Sequence, residues 1–311
     1  MTAKSDPHHD SHGKSTSLGL LFGLIGFSSL SFGDALVRSM AGAWPGTAIA
    51  LLRYIYGAAA IGAFILWRSG WRGFRVKRYD LQLLRGAAVS VSSVSFFFAV
   101  QLMPLATATS ILFTNPIWVA MLSPWLLNER ASRAAALSTF LALTGVAIVL
   151  RPNLLELGPA AMLPLLGAMG MAVLVILNRK SVGTASVLAM QFWIAAMAVP
   201  ILVVVVLAGH LSGLPQLHVG QPAPIILLKV LGVATTGTIA HWMIYIATER
   251  ASAPVVAPTT YVQLIVAATL GWFLFGQRID LISAAGMVII VLAGLLLWRN
   301  QRPKVVPIPL D

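Results

Sequence analysis

The stretch Ile201–Ala208, ILVVVVLA, decides the class of fold because it is apolar on every face. It lies inside a longer apolar run, residues 186–207, which could cross the hydrocarbon core of a bilayer as a helix. Nine further runs of similar length fill most of the chain. The sequence therefore predicts an all-α, polytopic membrane protein with ten spans: 18–37, 47–67, 81–101, 106–126, 134–150, 159–178, 186–207, 224–247, 254–275 and 281–298.

Composition excludes the main alternatives. The chain is 58% hydrophobic and 10% charged, with a mean hydropathy of +0.87, whereas soluble domains carry about 25% charged residues. A transmembrane β-barrel would need short segments of alternating polarity, and the sequence lacks them. The absence of cysteine excludes disulfides, thiolate metal sites and a cysteine nucleophile. We expect no cofactor and no metal.

The net charge of +12 reflects membrane topology rather than a nucleic-acid partner. The basic residues lie mostly in short loops between apolar runs, as the positive-inside rule describes. With the N-terminus inside, fifteen Lys and Arg residues are cytoplasmic, and Arg38, Arg151 and Arg278 are external. The pattern predicts a multi-pass protein of the cell inner membrane, surrounded by lipid, with both termini in the cytoplasm.

The spans divide into two sets of five, and an odd number per set turns the second set upside down in the membrane. A shift of 148 positions places Asn128-Glu129-Arg130 over Gly276-Gln277-Arg278, which indicates an internal repeat. Inverted repeats are typical of secondary transporters with a midplane site. The predicted organisation is a disordered tail at 1–16, five-helix repeats at 17–151 and 158–298, and a second tail at 299–311.

One stretch of the first repeat resembles a known family. Residues 96–109, FFFAVQLMPLATAT, precede Thr114-Asn115-Pro116, then Leu126-Leu127-Asn128-Glu129-Arg130, and then Gly145-Val146-Ala147-Ile148. This series resembles the EamA domain of the drug/metabolite transporter superfamily. The second repeat fits more loosely, because Gln277 stands where the family usually has Glu, and Leu264 where it usually has Pro. The resemblance implies a ten-helix bundle that moves small organic metabolites across a bacterial inner membrane.

Polar side chains at mid-depth are the candidates for a substrate site, because they are costly in hydrocarbon unless they face a cavity or a partner. The repeat pairs Asn115, near the middle of the fourth span, with Gln263 in the ninth, and Tyr261 lies two residues earlier. Both amides can donate and accept hydrogen bonds to a substrate. The alternative is that they bind neighbouring helices.

The same shift pairs Ser93 with His241. His241 could contact substrate, relay protons or satisfy a packed polar contact, and serines also let helices approach closely. Tyr245 is a candidate wall for a flat or apolar substrate.

Arg53 lies about six residues into the second span and aligns with Gln191, beside Trp193. It could extend to the membrane surface or point inward toward an anionic substrate group. Arg85 and Lys229 lie nearer to helix ends, where extension to the surface is the favoured interpretation.

Asp34 is the carboxylate placed well inside a predicted span, so it is the candidate for proton coupling. A buried pair with Arg38 or Arg53 is the alternative. Glu129, at the inner edge of the fourth span, is interpreted as an interfacial carboxylate.

These residues predict a secondary transporter for an amino-acid-like or vitamin- or nucleotide-related metabolite with an anionic group. An enzyme is excluded because the spans carry no known catalytic motif. A passive facilitator of the same fold, or a membrane scaffold or receptor, remains open. Gly19 and Gly23 form a GxxxG pair that could be a contact within the fold or the seam of a homodimer.

Overall fold

The computed structural model describes residues 7–127, 133–150, 158–181, 183–250 and 257–300. Within these residues every regular element is helical, and short 3-10 helices join several of the α-helices. The α-helices are α1 Pro7–Arg38, α2 Gly46–Ser69, α3 Tyr79–Leu102, α4 Leu105–Leu112, α5 Asn115–Leu127, α6 Arg133–Leu150, α7 Leu163–Lys180, α8 Val187–Leu211, α9 Pro224–Arg250, α10 Val262–Phe275 and α11 Leu281–Asn300.

Six helical segments of the described chain are long and apolar enough to cross a membrane, and three further apolar helices are shorter. The helical, polytopic class predicted from the sequence is confirmed by these segments, whereas the number of ten spans stays a prediction. The first segment begins at Ser17. Helix α1 itself begins at Pro7, so residues 7–16 of the predicted tail are helical.

The fourth predicted span, 106–126, is not one helix. It divides into α4 and α5 at Phe113 and Thr114, which form a turn. Pro116 accounts for the break, because a proline ring clashes with the carbonyl group four residues earlier, here that of Leu112. Leu112 is the last residue of α4. The predicted span 106–126 therefore consists of two helices, and the break leaves Asn115 at the start of α5.

The ninth predicted span also has a composite form. A 3-10 helix, Ala257–Tyr261, leads directly into α10. Residues 251–256, where the predicted span begins, lie outside the described residues, and so does Glu129. Gln263 is therefore the second residue of α10, just after a change of helix type.

The helices pack mainly in pairs drawn from the two halves of the chain. Helix α1 packs along α9, α3 along α7, α2 along α8, and α6 along α11. The last pair is in backbone contact: a Cβ at Gly145 would lie 2.8 Å from the Gly286 carbonyl oxygen, and one at Gly286 equally close to that of Gly145. A Cβ at Gly23 would lie 2.6 Å from the Thr259 side-chain Oγ1, so this member of the GxxxG pair makes a contact within the fold.

Candidate functional site

A cavity of about 1210 Å³ lies between α1, α2, α3, α7, α8 and α9. Ligand sites typically occupy 300–1,000 Å³, are mostly apolar and carry a few well-placed polar groups. This cavity has aromatic walls that include Phe96, Phe97 and Tyr261. It also collects most of the polar candidates from the sequence: Asp34, Arg53, Ser93, Asn115, Gln191, His241 and Gln263.

Asp34 and Gln263 meet at one end of this cavity. The Gln263 side-chain Nε2 donates a hydrogen bond of 3.1 Å to Asp34 Oδ2. The Ser31 hydroxyl, one turn before Asp34, donates to the Gln263 backbone oxygen at 2.7 Å. Two bonds therefore hold α10 against α1 and fix the carboxylate at the cavity wall. The alternative of a pair between Asp34 and Arg38 was wrong, because the Arg38 guanidinium binds backbone oxygens of α3 instead.

Arg53 points inward. Its guanidinium carbon lies 5.1 Å from the ring centroid of Tyr54 and 5.5 Å from that of Phe97. A Cβ at Gly237 would lie 3.2 Å from Arg53 Nη2, so a glycine in α9 makes room for the guanidinium. No carboxylate of the described residues forms an ion pair with this guanidinium. The charge therefore remains available to a ligand.

Ser93 and His241, which the repeat pairs, both line the cavity. The Ser93 and Tyr54 hydroxyls share a hydrogen bond of 2.7 Å. Asn115 reaches the cavity from the start of α5, and Gln191 from α8. Tyr261 also lines it, and its ring packs edge-on against Phe113 with centroids 6.0 Å apart.

Trp193 does not belong to this site, and its prediction as a substrate residue was wrong. Its indole Nε1 donates to the Phe74 backbone oxygen at 2.7 Å, and its ring packs against those of Tyr79 and Phe192. The side chain therefore joins α8 to the connection between α2 and α3. The side chain of Tyr245 lies outside the described part of the structure.

Arg85 is a cavity residue that the sequence reading missed. Its side chain is buried, with 2% exposure, and lines the cavity rather than extending to the surface. Its Nε donates to Asn178 Oδ1 at 2.6 Å, and its Nη1 donates to Gln82 Oε1 and to the Met190 oxygen at 3.2 Å. The sequence signal that could have indicated this inward position was a second polar residue, Gln82, one helical turn before Arg85 on the same helix face.

The cavity reaches one end of the bundle and stops short of the other. At the end where α2 ends and α3 begins, here the open end, its lining includes the exposed side chains of Arg68 and Trp242. At the opposite end, where α1 ends and α2 begins, polar bonds join the helices. We call this the sealed end.

Two sets of bonds close the sealed end. Arg38 Nη1 donates to the backbone oxygens of Val100 at 2.9 Å and Gln101 at 2.6 Å. The Gln101 amide donates to the Trp44 oxygen, and Gln277 Oε1 accepts from the Leu105 backbone nitrogen at 3.0 Å. Because α3 ends at Leu102 and α4 begins at Leu105, these side chains satisfy backbone groups that helix ends leave unpaired.

Sequence comparison identifies the family. The pattern of the EamA-like transporter family matches residues 17–151 and again residues 158–299. The chain belongs to the EamA-like transporter family. It is therefore a membrane transporter and not an enzyme, and the resemblance stated from residues 96–148 is confirmed.

Relatives of this transporter include proteins with named cargoes. It is 25% identical over 289 residues to an S-adenosylmethionine uptake transporter of Rickettsia bellii, covering 93% of this chain and 96% of the relative. It is 23% identical over 288 residues to a pseudopaline exporter of Pseudomonas aeruginosa, covering 91% and 97%.

A solved crystal structure of another protein has the same fold as this transporter. It superposes with a TM-score of 0.59 at 19% identity, covering 94% of this chain and 100% of that one. At this identity the likeness concerns the fold alone.

Proposed function

We propose that this chain is a secondary transporter that moves a small organic metabolite across the bacterial inner membrane by alternating access. The observation that carries the proposal is a cavity lined by polar groups from both halves of the chain, open at one end and closed by hydrogen bonds at the other. Alternating access requires a site that faces one side at a time. The positive-inside rule assigns the open end to the cytoplasm.

An inverted repeat is part of this proposal. The first helix of each half packs on the third helix of the other half, as α1 on α9 and α3 on α7. The second helices pack together, as do the fifth. Exchanging the two halves leaves this set of pairs unchanged, as a pseudo-two-fold axis requires. The repeated family match and the odd number of predicted spans per half support the same conclusion.

We infer that the substrate carries an amino-acid group and a flat ring system, as S-adenosylmethionine does. Carboxylate and guanidinium groups face one cavity, which suits a zwitterion. The aromatic walls suit a nucleobase. The names of the relatives support this class but differ in direction, one being an uptake transporter and the other an exporter. The names of the relatives therefore do not assign a direction of transport to this chain, and a flux measurement determines it.

Asp34 is the proposed coupling residue. Its partner Gln263 has a side-chain amide that can donate to a carboxylate and, after rotation, accept from a protonated carboxyl group. Both protonation states of Asp34 can therefore be bound without moving α1 away from α10.

Uptake of radiolabelled S-adenosylmethionine into proteoliposomes tests the function. We expect accumulation of the label when a proton gradient is imposed. Flux should fall by at least about tenfold in Asn115→Ala, which removes a hydrogen-bonding group from the cavity wall, and in Gln263→Ala, which removes the hydrogen-bond partner of Asp34. Thr269→Ala is the matched control on α10, since the Thr269 side chain is exposed and bonds only to its own helix.

Asp34→Asn separates coupling from binding. We expect this variant to exchange label across the membrane but not to accumulate it, because asparagine cannot carry a proton. Equilibration without accumulation in the unmodified protein would mean a passive facilitator. Absence of flux in correctly inserted protein that binds S-adenosylmethionine would mean a receptor or scaffold, and absence of binding would mean that the proposed substrate is wrong.

A further inference from the structure

Arg85 and Asn178 line the cavity near its open end, and the buried Gln82 bonds to Arg85 without lining it. These three residues are here called the Arg85 cluster. Gln82 and Arg85 are one turn apart on α3, and Asn178 is near the end of α7. Arg85 bonds to both side chains and to a backbone oxygen of α8. The cluster thus joins three helices at the place where a substrate would enter or leave.

The buried guanidinium lacks a counter-charge. All three of its acceptors are neutral amide oxygens. In the part of the chain that the structure describes, the only ion pair joins Arg78 to Asp80. Asp80, the acidic residue nearest to Arg85 along α3, is thus already engaged. A buried cation without an anion is costly, so this arrangement favours a ligand that brings a negative charge.

Gln82 adds a second donor without a partner. It is fully buried, and its Nε2 has no acceptor within the described residues. The orientation of the amide is fixed, because its oxygen must face the Arg85 Nη1 donor. The Arg85 Nη2 group likewise makes no hydrogen bond to any of the described residues. Arg85 lines the cavity, whereas Gln82 does not, so an oxyanion in the cavity could accept from the Arg85 guanidinium, as carboxylates do.

We propose that the Arg85 cluster is a binding subsite for the carboxylate of the transported metabolite. This inference rests on the proposed function and specifies which part of the substrate lies at the open end. The cluster neutralises the negative group of an amphoteric substrate, and Asp34 lies nearer to the sealed end. The transporter therefore discriminates against analogues that lack the carboxylate.

The test compares two probes, S-adenosylmethionine and its decarboxylated form, on the purified full-length protein. Equilibrium binding is measured on the unmodified protein, on Arg85→Gln and on Arg68→Gln. Arg68 is the matched control because it lines the same end of the cavity but is exposed. We expect a preference for the carboxylated probe of about tenfold, or ~1.4 kcal/mol, in the unmodified protein and the control, and of less than about twofold in Arg85→Gln.

An unchanged preference in Arg85→Gln overturns the proposal and leaves Arg85 as a contact between helices. If that variant does not fold, Arg85→Lys replaces it, with an expected preference reduced by at least about threefold because an ammonium group cannot reproduce the fork of donors. Retention of the full preference in Arg85→Lys would then overturn the proposal.

A third probe, inorganic sulfate, distinguishes failure of the proposed subsite from failure of the proposed substrate. If neither S-adenosylmethionine nor its decarboxylated form binds the unmodified protein, the proposed substrate is wrong. Inorganic sulfate then tests the Arg85 cluster. At constant ionic strength, sulfate in place of chloride should raise the melting temperature of the unmodified protein and of Arg68→Gln by more than that of Arg85→Gln or, where that variant does not fold, Arg85→Lys. The general stabilising effect of sulfate acts on all of these proteins alike, so the difference reports the site. Equal effects on the unmodified protein and the Arg85 variant would overturn the subsite itself.

Discussion

The two ends of the cavity use the same residue type in different ways. At the sealed end, Arg38 donates to two backbone oxygens at the end of α3. At the open end, the buried Arg85 is held mainly by side-chain amides, and its Nη2 makes no hydrogen bond to any of the described residues. A guanidinium that binds helix-end carbonyls closes a structure, whereas one held in place by neutral side chains can still receive an anion.

Obstruction of the passage between these ends should have the largest effect. Gly57 lines the cavity, and a Cβ at this position would meet no atom within 4 Å. We expect Gly57→Leu to lower transport by more than about tenfold while its melting temperature stays within about 2 °C, because the added atoms enter empty space. Proteoliposome flux and thermal unfolding measure the two quantities.

Gly62→Leu is the contrasting variant on the same helix. A Cβ at Gly62 would lie 3.0 Å from Phe192 Cε2, so this change should destabilise the α2–α8 contact and lower the yield of folded protein. Normal transport by Gly57→Leu would show that the substrate does not pass through this cavity.

Release of the sealed end is the next prediction. Arg38→Gln removes two charge-assisted hydrogen bonds, each worth about 1.5–3 kcal/mol, so the sealed end should open more often. Because the chain has no cysteine, Gly57→Cys can report access to the cavity. An impermeant maleimide is added on the side of the sealed end. We expect it to label the cysteine of Gly57→Cys about tenfold more when Arg38→Gln is also present, which corresponds to a loss of ~1.4 kcal/mol from the closed state.

Lys229→Gln is the control for this measurement. Its ammonium contacts the Ser39 oxygen at 3.3 Å in an exposed position, where such a bond contributes little. Equal labelling of the Arg38 and Lys229 variants would show that the Arg38 bonds do not hold the sealed end closed.

A smaller effect distinguishes two neighbours on α8. Trp193→Phe loses the bond to the Phe74 oxygen but keeps an aromatic ring, so we expect a loss of about 1 kcal/mol in stability and unchanged substrate affinity. Gln191→Leu, on a residue that lines the cavity, should weaken binding with little change in stability. Unfolding and binding measurements on both variants check this, and weaker binding in Trp193→Phe would restore Trp193 to the site.

The smallest effect is expected near the sealed end. Thr47 is 3% exposed, and its hydroxyl oxygen has no partner among the described residues. Thr47→Val keeps the shape of the side chain and removes the unpaired hydroxyl group. We therefore expect the free energy of unfolding to rise by up to about 1 kcal/mol, with unchanged transport. Thermal unfolding measures the gain. A loss of stability instead would reveal a hidden partner of the hydroxyl group.

Much of the site was accessible from the sequence because polar residues inside apolar spans are rare and therefore conspicuous. Asp34, Asn115, His241 and Gln263 were found in this way, and all four line one cavity. Arg85 and Trp193 were misassigned, since their roles depend on residues far along the chain, Asn178 for one and Phe74 for the other.

The sequence by itself determined that this is a helical membrane protein of a transporter family, because apolar run length and local motifs are properties of contiguous residues. Only the tertiary structure decided which side chains face the cavity, where the fourth span breaks and which end is closed. The physical reason is that the helices are apolar toward lipid and toward one another alike, so periodicity does not mark an inward face. Long-range packing makes that choice.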